Sequence, residues 1–395
     1  MFRSPLLLAI GGLLAMAAGI GVGRFVYTPI LPPMVEALHL TKSQAGLIAS
    51  ANFIGYLAGA LLAAVRLPGS RRAWLLGSLA INAICLGAMG LTATMPLFLL
   101  LRLMAGIASA FILVFSSALV LDRLASTGRS ALSAVHFAGV GIGIVASAAL
   151  VGTLGDWRFM WFASGALALL AGIAVAVIVP DEPPGAPVAA RTAPFRLSPA
   201  FAALAAAYSL FGFGYIITAT FIVAMVRDSP QIAALEPYIW VTVGLAAAPS
   251  VALWARLGLR WGILKAFAAA ALVEAIGVAV SVLWLTPASI LLAAVFLGGT
   301  FMGLTALGLI AARETGIGDP RRRIALMTAS FSAGQIVGPF FAGYAYDITG
   351  SLAMPSLVAV AALVVAALLA VVADAQRRGA DRTAIASRTA RRPEV

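Results

Sequence analysis

Residues 180–198 read PDEPPGAPVAARTAPFRLS, the one long break in a chain otherwise written in apolar runs. The five prolines of this stretch favour extended backbone and exclude a helix interior. On either side lie runs long enough to cross a bilayer, which takes about 20 apolar residues as a helix over a core of about 30 Å. They fall near 5–31, 44–65, 73–93, 97–120, 131–153 and 158–179 before the break. After it they fall near 199–226, 238–255, 263–284, 288–311, 324–346 and 352–373. The expected architecture is an all-α membrane protein with twelve transmembrane helices in two six-helix bundles. Residues 1–179 form the first bundle, 180–198 a cytoplasmic linker, 199–374 the second bundle, and 375–395 a basic, disordered cytoplasmic tail.

Composition leaves little room for anything else. Of 395 residues 62% are hydrophobic and 10% charged, with a mean hydropathy of +1.05, too few polar groups to cover a water-soluble surface. The run Ala15-Met16-Ala17 offers small residues for signal-peptide cleavage, but the apolar stretch continues past it to Leu31 and has a counterpart in the second half, so a retained span is expected. A single cysteine, Cys85, and two histidines, His39 and His136, give neither a disulfide framework nor a metal centre, and no cofactor is implied.

Orientation follows from the basic residues. With the amino terminus inside, the inner segments hold Arg3, Arg66, Arg71, Arg72, Arg123, Arg129, Arg191, Arg196, Arg256, Arg260, Lys265, Arg313, Arg321, Arg322, Arg323 and the six tail arginines. Outside stand only Lys42, Arg158 and Arg227, while Arg24 and Arg102 lie within spans. This is the positive-inside pattern of a multi-pass inner-membrane protein with both termini cytoplasmic. It also accounts for the net charge of +12 through anionic lipid headgroups rather than nucleic acid.

The two halves echo each other at an offset of about 190 residues, as the internal repeats of transporters do. Gly21-Val22-Gly23-Arg24 answers Gly212-Phe213-Gly214-Tyr215, Arg66-Leu67 answers Arg256-Leu257, Phe137-Ala138-Gly139 answers Phe331-Ser332-Ala333, and Gly106 answers Gly299. A parallel repeat puts a solute path between two bundles near the membrane midplane, opened to each side in turn by rocking of the halves. Glycines at 19, 21, 23, 139, 141, 143, 334, 338 and 343 let helices approach closely and slide, or serve static packing alone.

Several stretches resemble the major facilitator superfamily, across all twelve spans. Gly59–Arg72, GALLAAVRLPGSRR, is similar to that family's motif between helices 2 and 3, without the motif's Asp and with irregular spacing. Arg102 through Gly106 resembles the helix-4 motif R-x-x-x-G. Phe137–Gly143 stands where the family has its Gly-rich helix-5 motif, and Gly334-Gln335-Ile336-Val337-Gly338-Pro339 looks like that motif in the second half. GVGRFVYTPILPPM (21–34) followed by ANFIGYLAGAL (51–61) is similar to a poorly characterised bacterial subgroup. The resemblance implies a two-bundle fold, solute transport by a monomer, and for Arg102 a role in proton movement or structure.

A charge inside hydrocarbon is costly, so each marks a candidate site. At 1.5 Å per residue Arg24 falls about 7 Å from the outer end of helix 1, and Arg102 about 9 Å into helix 4 from the same side. Arg24 is the leading substrate ligand, because a guanidinium offers a planar fork of donors matched to a carboxylate. Against that stand snorkelling and capping of carbonyls freed by Pro29 and Pro32. His136 is the natural proton carrier, with an unperturbed pKa of about 6.5. Glu274, mid-span in helix 9, is protonated or paired with a neutral polar group. Tyr27, Asn52, Tyr56, Tyr215, Thr218 and Gln335 complete a polar and aromatic lining for a small organic solute, with Ser116 and Tyr208 beside them. Any one of these is also a plausible helix–helix tie.

Acids are missing from the presumed cavity helices away from their ends, where Asp122, Glu314 and Asp347 stand. Two arginines and a histidine make that space electropositive and favour an anion. The expected function is secondary active transport of a small organic anion by alternating access, with proton symport through His136. The alternative is export of neutral or amphipathic compounds with structural arginines; more distant is a channel or membrane sensor, and a channel's ring of pore-lining charge is absent. Helix-borne H-E-x-x-H, G-x-S-x-G and paired carboxylates are absent too, so no enzyme is expected.

Overall fold

The computed structural model describes residues 4–65, 67–180, 197–315 and 320–389, with side chains for all of these but 320, 321 and 380–389. Twelve helices among them are long and apolar enough to cross a membrane. They are α1 (Pro5–Leu38), α2 (Lys42–Ala63), α3 (Arg71–Met89), α4 (Met95–Ser126), α5 (Ser133–Val151), α6 (Trp157–Ile178), α7 (Pro199–Arg227), α8 (Glu236–Trp261), α9 (Ile263–Leu283), α10 (Pro287–Thr315), α11 (Pro320–Thr349) and α12 (Ala353–Thr389). The proline-rich connection between α6 and α7 lies outside the described residues but for its ends.

Local sequence sets where these helices start. Ser4, Ser70, Asp156 and Ser198 each accept a backbone N–H of the first turn, and Thr41 with Gln44 makes a reciprocal capping box at the start of α2. Proline in the first turn of α1, α4, α7 and α8 gives up only an N–H that has no intrahelical partner. The apolar faces divide by destination. Residues such as Ala45, Phe98 and Leu204 are buried between helices, whereas Ile84, Leu170, Ile276 and Leu368 stand exposed on the flank, where lipid replaces water.

Within the first six helices α2 packs on α4, α3 on α4 and α6, and α1 on α5; within the last six α8 packs on α10, α9 on α12, and α7 on α11 and α12. The repeat is visible at contact level. Gly139 and Gly143 of α5 press on the backbone at Leu13 and Ala17 of α1, and Gly334 and Gly338 of α11 meet Ser209 and Phe213 of α7 in the same way. Gly334 is thus the partner of Gly139, one residue beyond the alignment read from sequence. Similarly, Gly298 rather than Gly299 answers Gly106.

Two element ends differ from expectation. Helix α1 does not stop near Leu31 but continues through Pro32 and Pro33 to Leu38. Arg24 therefore lies deeper below that end than the short helix implied. The last helix runs on to Thr389 rather than ending near 373. Asp374 pairs with Arg377 and Arg378 at 3.5 and 2.6 Å, one turn on, and the following Ala, Arg and Gln residues are good helix formers. Residues 390–395 lie outside the described residues.

The two sets of six meet chiefly through α2 against α11 and α5 against α8. The face of the bundle holding the start of α1 is called the near face below, and the opposite one the far face. Contacts between the sets gather toward the far face. Lys42 pairs with Asp228 at 3.0 Å and Arg227 with Glu36 at 2.7 Å. Asp347, near the end of α11, accepts the backbone N–H groups of Lys42 and Ser43 at 3.0 and 2.9 Å and the Ser43 hydroxyl, so it caps a helix of the other half. Deeper, Ser50 Oγ donates to Ile336 O and Thr28 Oγ1 to Ala219 O, both at 2.7 Å. The far face is closed.

Candidate functional site

The site begins with a fault in α1. Its first segment, Pro5–Met16, winds into a π-helical stretch at Ala17–Val22, loses regular form over 23–26, and resumes as Tyr27–Leu38. Three glycines at 19, 21 and 23 make that stretch a poor helix. In hydrocarbon every carbonyl so released needs a donor. Five carbonyls of the stretch receive a donor from neighbouring helices, and two of these, Ala18 O and Phe25 O, also accept the backbone N–H groups of Gly23 and Thr28. Asn82 Nδ2 (α3) donates to Ala18 O at 3.1 Å, and Ser109 Oγ (α4) to Gly19 O at 2.7 Å. Arg102 (α4) donates through Nη1 to Gly23 O at 3.1 Å and through Nη2 to Arg24 O at 3.2 Å. Trp240 Nε1 (α8) donates to Phe25 O at 3.0 Å, from the other half.

Arg24 stands at the fault and is buried, 7% exposed. Its Cζ lies 4.3 Å from the centroid of the Tyr56 ring, 4.9 Å from that of Phe53 and 5.7 Å from that of Phe25. The Tyr56 hydroxyl is within hydrogen-bonding reach of the guanidinium. Nε and Nη2 have no hydrogen-bond partner, and none of the ion pairs among the described residues includes Arg24. Aromatic faces hold the cation through their quadrupoles but leave its in-plane N–H groups unused. The result is a buried guanidinium whose Nε and Nη2 are left unpaired.

Facing it from the second half is an aromatic wall. The Tyr215 ring lies parallel to Phe301 and to Phe331, each 5.8 Å away, and Phe211 and Tyr208 continue the stack. Gln335 Nε2 donates to the Tyr215 hydroxyl, while Gln335 Oε1 and Thr218 Oγ1 are buried without a partner. Tyr215 is within electrostatic reach of both Arg24 and Glu274. Arg24, Tyr56, Tyr215, Thr218 and Gln335 thus occupy facing helices of the two halves.

The other expected site residues sit elsewhere. The Tyr27 hydroxyl donates to Ala45 O at 2.8 Å and its ring lies under Arg102. Asn52 Nδ2 ties α2 to α4 through Arg102 O at 3.0 Å. Arg102 spends both Nη groups on the fault, at the same depth as Arg24. His136 is wholly buried inside the first half against Gly12 and Val120, with the Ser117 hydroxyl 3.5 Å from Nε2. Glu274 is wholly buried in the second half beside Thr300, whose hydroxyl donates to Phe296 O at 2.6 Å. Asn82, Ser109, Trp240 and Phe301 carry no signal in the sequence, and Phe331 stands out there only as part of the repeat. A glycine-broken span predicts that such donors exist, but not which helix supplies them.

Between the halves, beneath the far-face contacts, lies a cavity of about 290 Å³ lined by Pro29, Val151, Met160, Arg227, Glu236 and Trp240 among others. Trp240 reaches both this cavity and the fault beside Arg24.

Residues 16–371 match the family model described as "uncharacterised MFS-type transporter YbfB". Among solved structures, the nucleoside transporter NupG superposes with a TM-score of 0.71 at 15% identity, over 93% of this chain and 99% of that one, in the crystal structure of a point mutant. A second NupG crystal structure gives 0.67 at 17% identity, over 94% and 98%. A bacterial homologue of the human lysosomal transporter Spinster, inward-facing and unoccupied, gives 0.67 at 16%, over 97% and 98%. These likenesses are of fold. No curated protein matches the chain.

Proposed function

The chain belongs to the major facilitator superfamily of transporters, and on that premise we propose that it carries a small organic anion by proton-coupled alternating access, with Arg24 as the ligand for the anionic group. One observation carries this reading. Arg24 is a permanent charge buried between the halves with two donor atoms unpaired and no acid against it. An uncompensated buried charge is expensive, and a carboxylate supplies the missing partner in bidentate geometry. The fault in α1 lets the backbone carbonyls be served from outside, so Arg24 is spared that duty and Arg102 performs it.

The basic near face is cytoplasmic in this reading, by the distribution of Arg and Lys, and meets anionic lipid of the inner membrane. With the far face closed, the solute meets Arg24 from the cytoplasmic side, and transport requires the far-face contacts to part. The protein works as a monomer, its cleft lying between two halves of one chain. His136 and Glu274 are the titratable groups buried within the spans that could carry a coupled proton.

The aromatic wall favours a second reading, a neutral flat solute stacked on Tyr215 and Phe331, of the kind NupG is named for. A thermal-shift panel on purified protein separates the two. Binding to the folded state raises the melting temperature, by the equivalent of about 2.7 kcal/mol at a ligand concentration of 100 Kd. Carboxylates should raise it in the parent and not in Arg24→Gln. A shift from uridine that survives Arg24→Gln, with none from any carboxylate, would overturn the anion reading.

A further inference from the structure

The unpaired atoms facing Arg24 specify more than an anion. Gln335 is wholly buried on α11, and its Nε2 is committed to the oxygen of Tyr215. In that orientation of the amide Oε1 is left as an acceptor without a donor. Because the Tyr215 oxygen receives the Gln335 proton, its own O–H is free to donate. Thr218 lies one turn along α7 on the same face and adds a second unpaired hydroxyl. On the side of the first half Arg24 presents two unpaired donors, Nε and Nη2, and among the unpaired atoms of α7 and α11 the obligate acceptor is Gln335 Oε1.

A plain carboxylate satisfies the Arg24 fork and the two hydroxyls, but it has no hydrogen for Gln335. Binding it would leave a buried carbonyl unpaired, and buried acceptors that go unpaired weigh heavily against a ligand. We propose, resting on the anion reading above, that the solute is a carboxylate bearing its own hydroxyl or amine donor, and that Gln335 is the residue that selects for that donor. Tyr215 is the positioning residue, since it holds the Gln335 amide in the accepting orientation.

The test uses three pairs of acids that differ by one hydroxyl: mandelate and phenylacetate, lactate and propionate, malate and succinate. Dissociation constants are measured by calorimetry on full-length protein and on Gln335→Met, which keeps the side-chain volume and loses the acceptor. In the parent, the hydroxylated member of any pair that binds should be tighter by about tenfold or more. In Gln335→Met that ratio should fall to about one, because the plain acid no longer buries an unpaired carbonyl and the hydroxy acid no longer has an acceptor for its donor. Equal affinities within the pairs in the parent would overturn the inference and leave the anion reading standing, and this outcome needs no variant. A ratio that persists in Gln335→Met, with its melting temperature preserved, overturns the role of Gln335. Binding of none of the six acids would overturn the anion reading and this inference together.

Discussion

Arg24 and Arg102 are the same residue type at the same depth, yet their surroundings give them opposite tasks. Arg102 donates to two carbonyls of a broken helix and has a tyrosine ring against its face. Arg24 has three rings around it and unpaired donor atoms. Removing each charge should therefore fail in different ways. Arg102→Gln should lower stability by about 2 kcal/mol, seen as a drop in melting temperature without ligand, because it strips donors from buried carbonyls. Arg24→Gln should leave the unliganded stability within about 0.5 kcal/mol of the parent, or raise it, and abolish the carboxylate-induced shift in melting temperature. Equal stability losses in both variants would contradict the division of roles. The sequence marks both arginines as buried charges. It does not say which one is spent on structure, because the carbonyls that consume Arg102 belong to another span and are free only when α1 unwinds.

At the scale of elements, α1 is the part that couples chemistry to packing. Its fault is supported from α3, α4 and α8 by Asn82, Ser109, Arg102 and Trp240, and the last of these crosses between halves. Trp240→Phe keeps a large ring and removes the N–H, so it should weaken the closed far face by about 1 kcal/mol while leaving the spans intact. Hydrogen exchange should then rise in α1 beyond Phe25 and in the first turns of α8; unchanged exchange there would contradict the tie. The twelve spans are legible from residue order because hydrocarbon forces each one to satisfy its own backbone, which needs a continuous apolar run. The continuation of α1 through Pro32 and Pro33, and of α12 through Asp374, is not legible from hydropathy. In the first, proline reads as a stop; in the second, the stabilising pairs lie among charged residues. Repeat alignment is off by a residue for the same kind of reason. Gly139 and Gly334 are equivalent through what they touch, whereas the aligned Phe137 and Phe331 are not.

For the whole molecule, the closed far face is the state to be explained and perturbed. The exposed pairs Lys42–Asp228 and Arg227–Glu36 are each worth about 0–1 kcal/mol. Asp347 does more, since one carboxylate pairs two backbone N–H groups and a hydroxyl at the N-terminus of a helix in the other half. Beneath it Gly46 lies against the Pro339 carbonyl so closely that a Cβ would overlap it. Asp347→Ala should therefore shift the balance toward an open far face by about 1–2 kcal/mol, and Gly46→Val should prop it open sterically. With Cys85 replaced by serine, a reporter at Ala49→Cys, buried in the parent, should react faster with a membrane-impermeant thiol reagent in both variants. Unchanged labelling would mean that these contacts do not hold the halves together.

Counterflow in proteoliposomes tests the central claim, that this chain transports an organic anion through Arg24, most directly. Vesicles loaded with an unlabelled hydroxycarboxylate such as malate or mandelate, and diluted into the labelled acid, should accumulate label transiently with the parent protein. They should fail to do so with Arg24→Gln reconstituted at equal density. Label uptake by Arg24→Gln equal to that of the parent would contradict the claim.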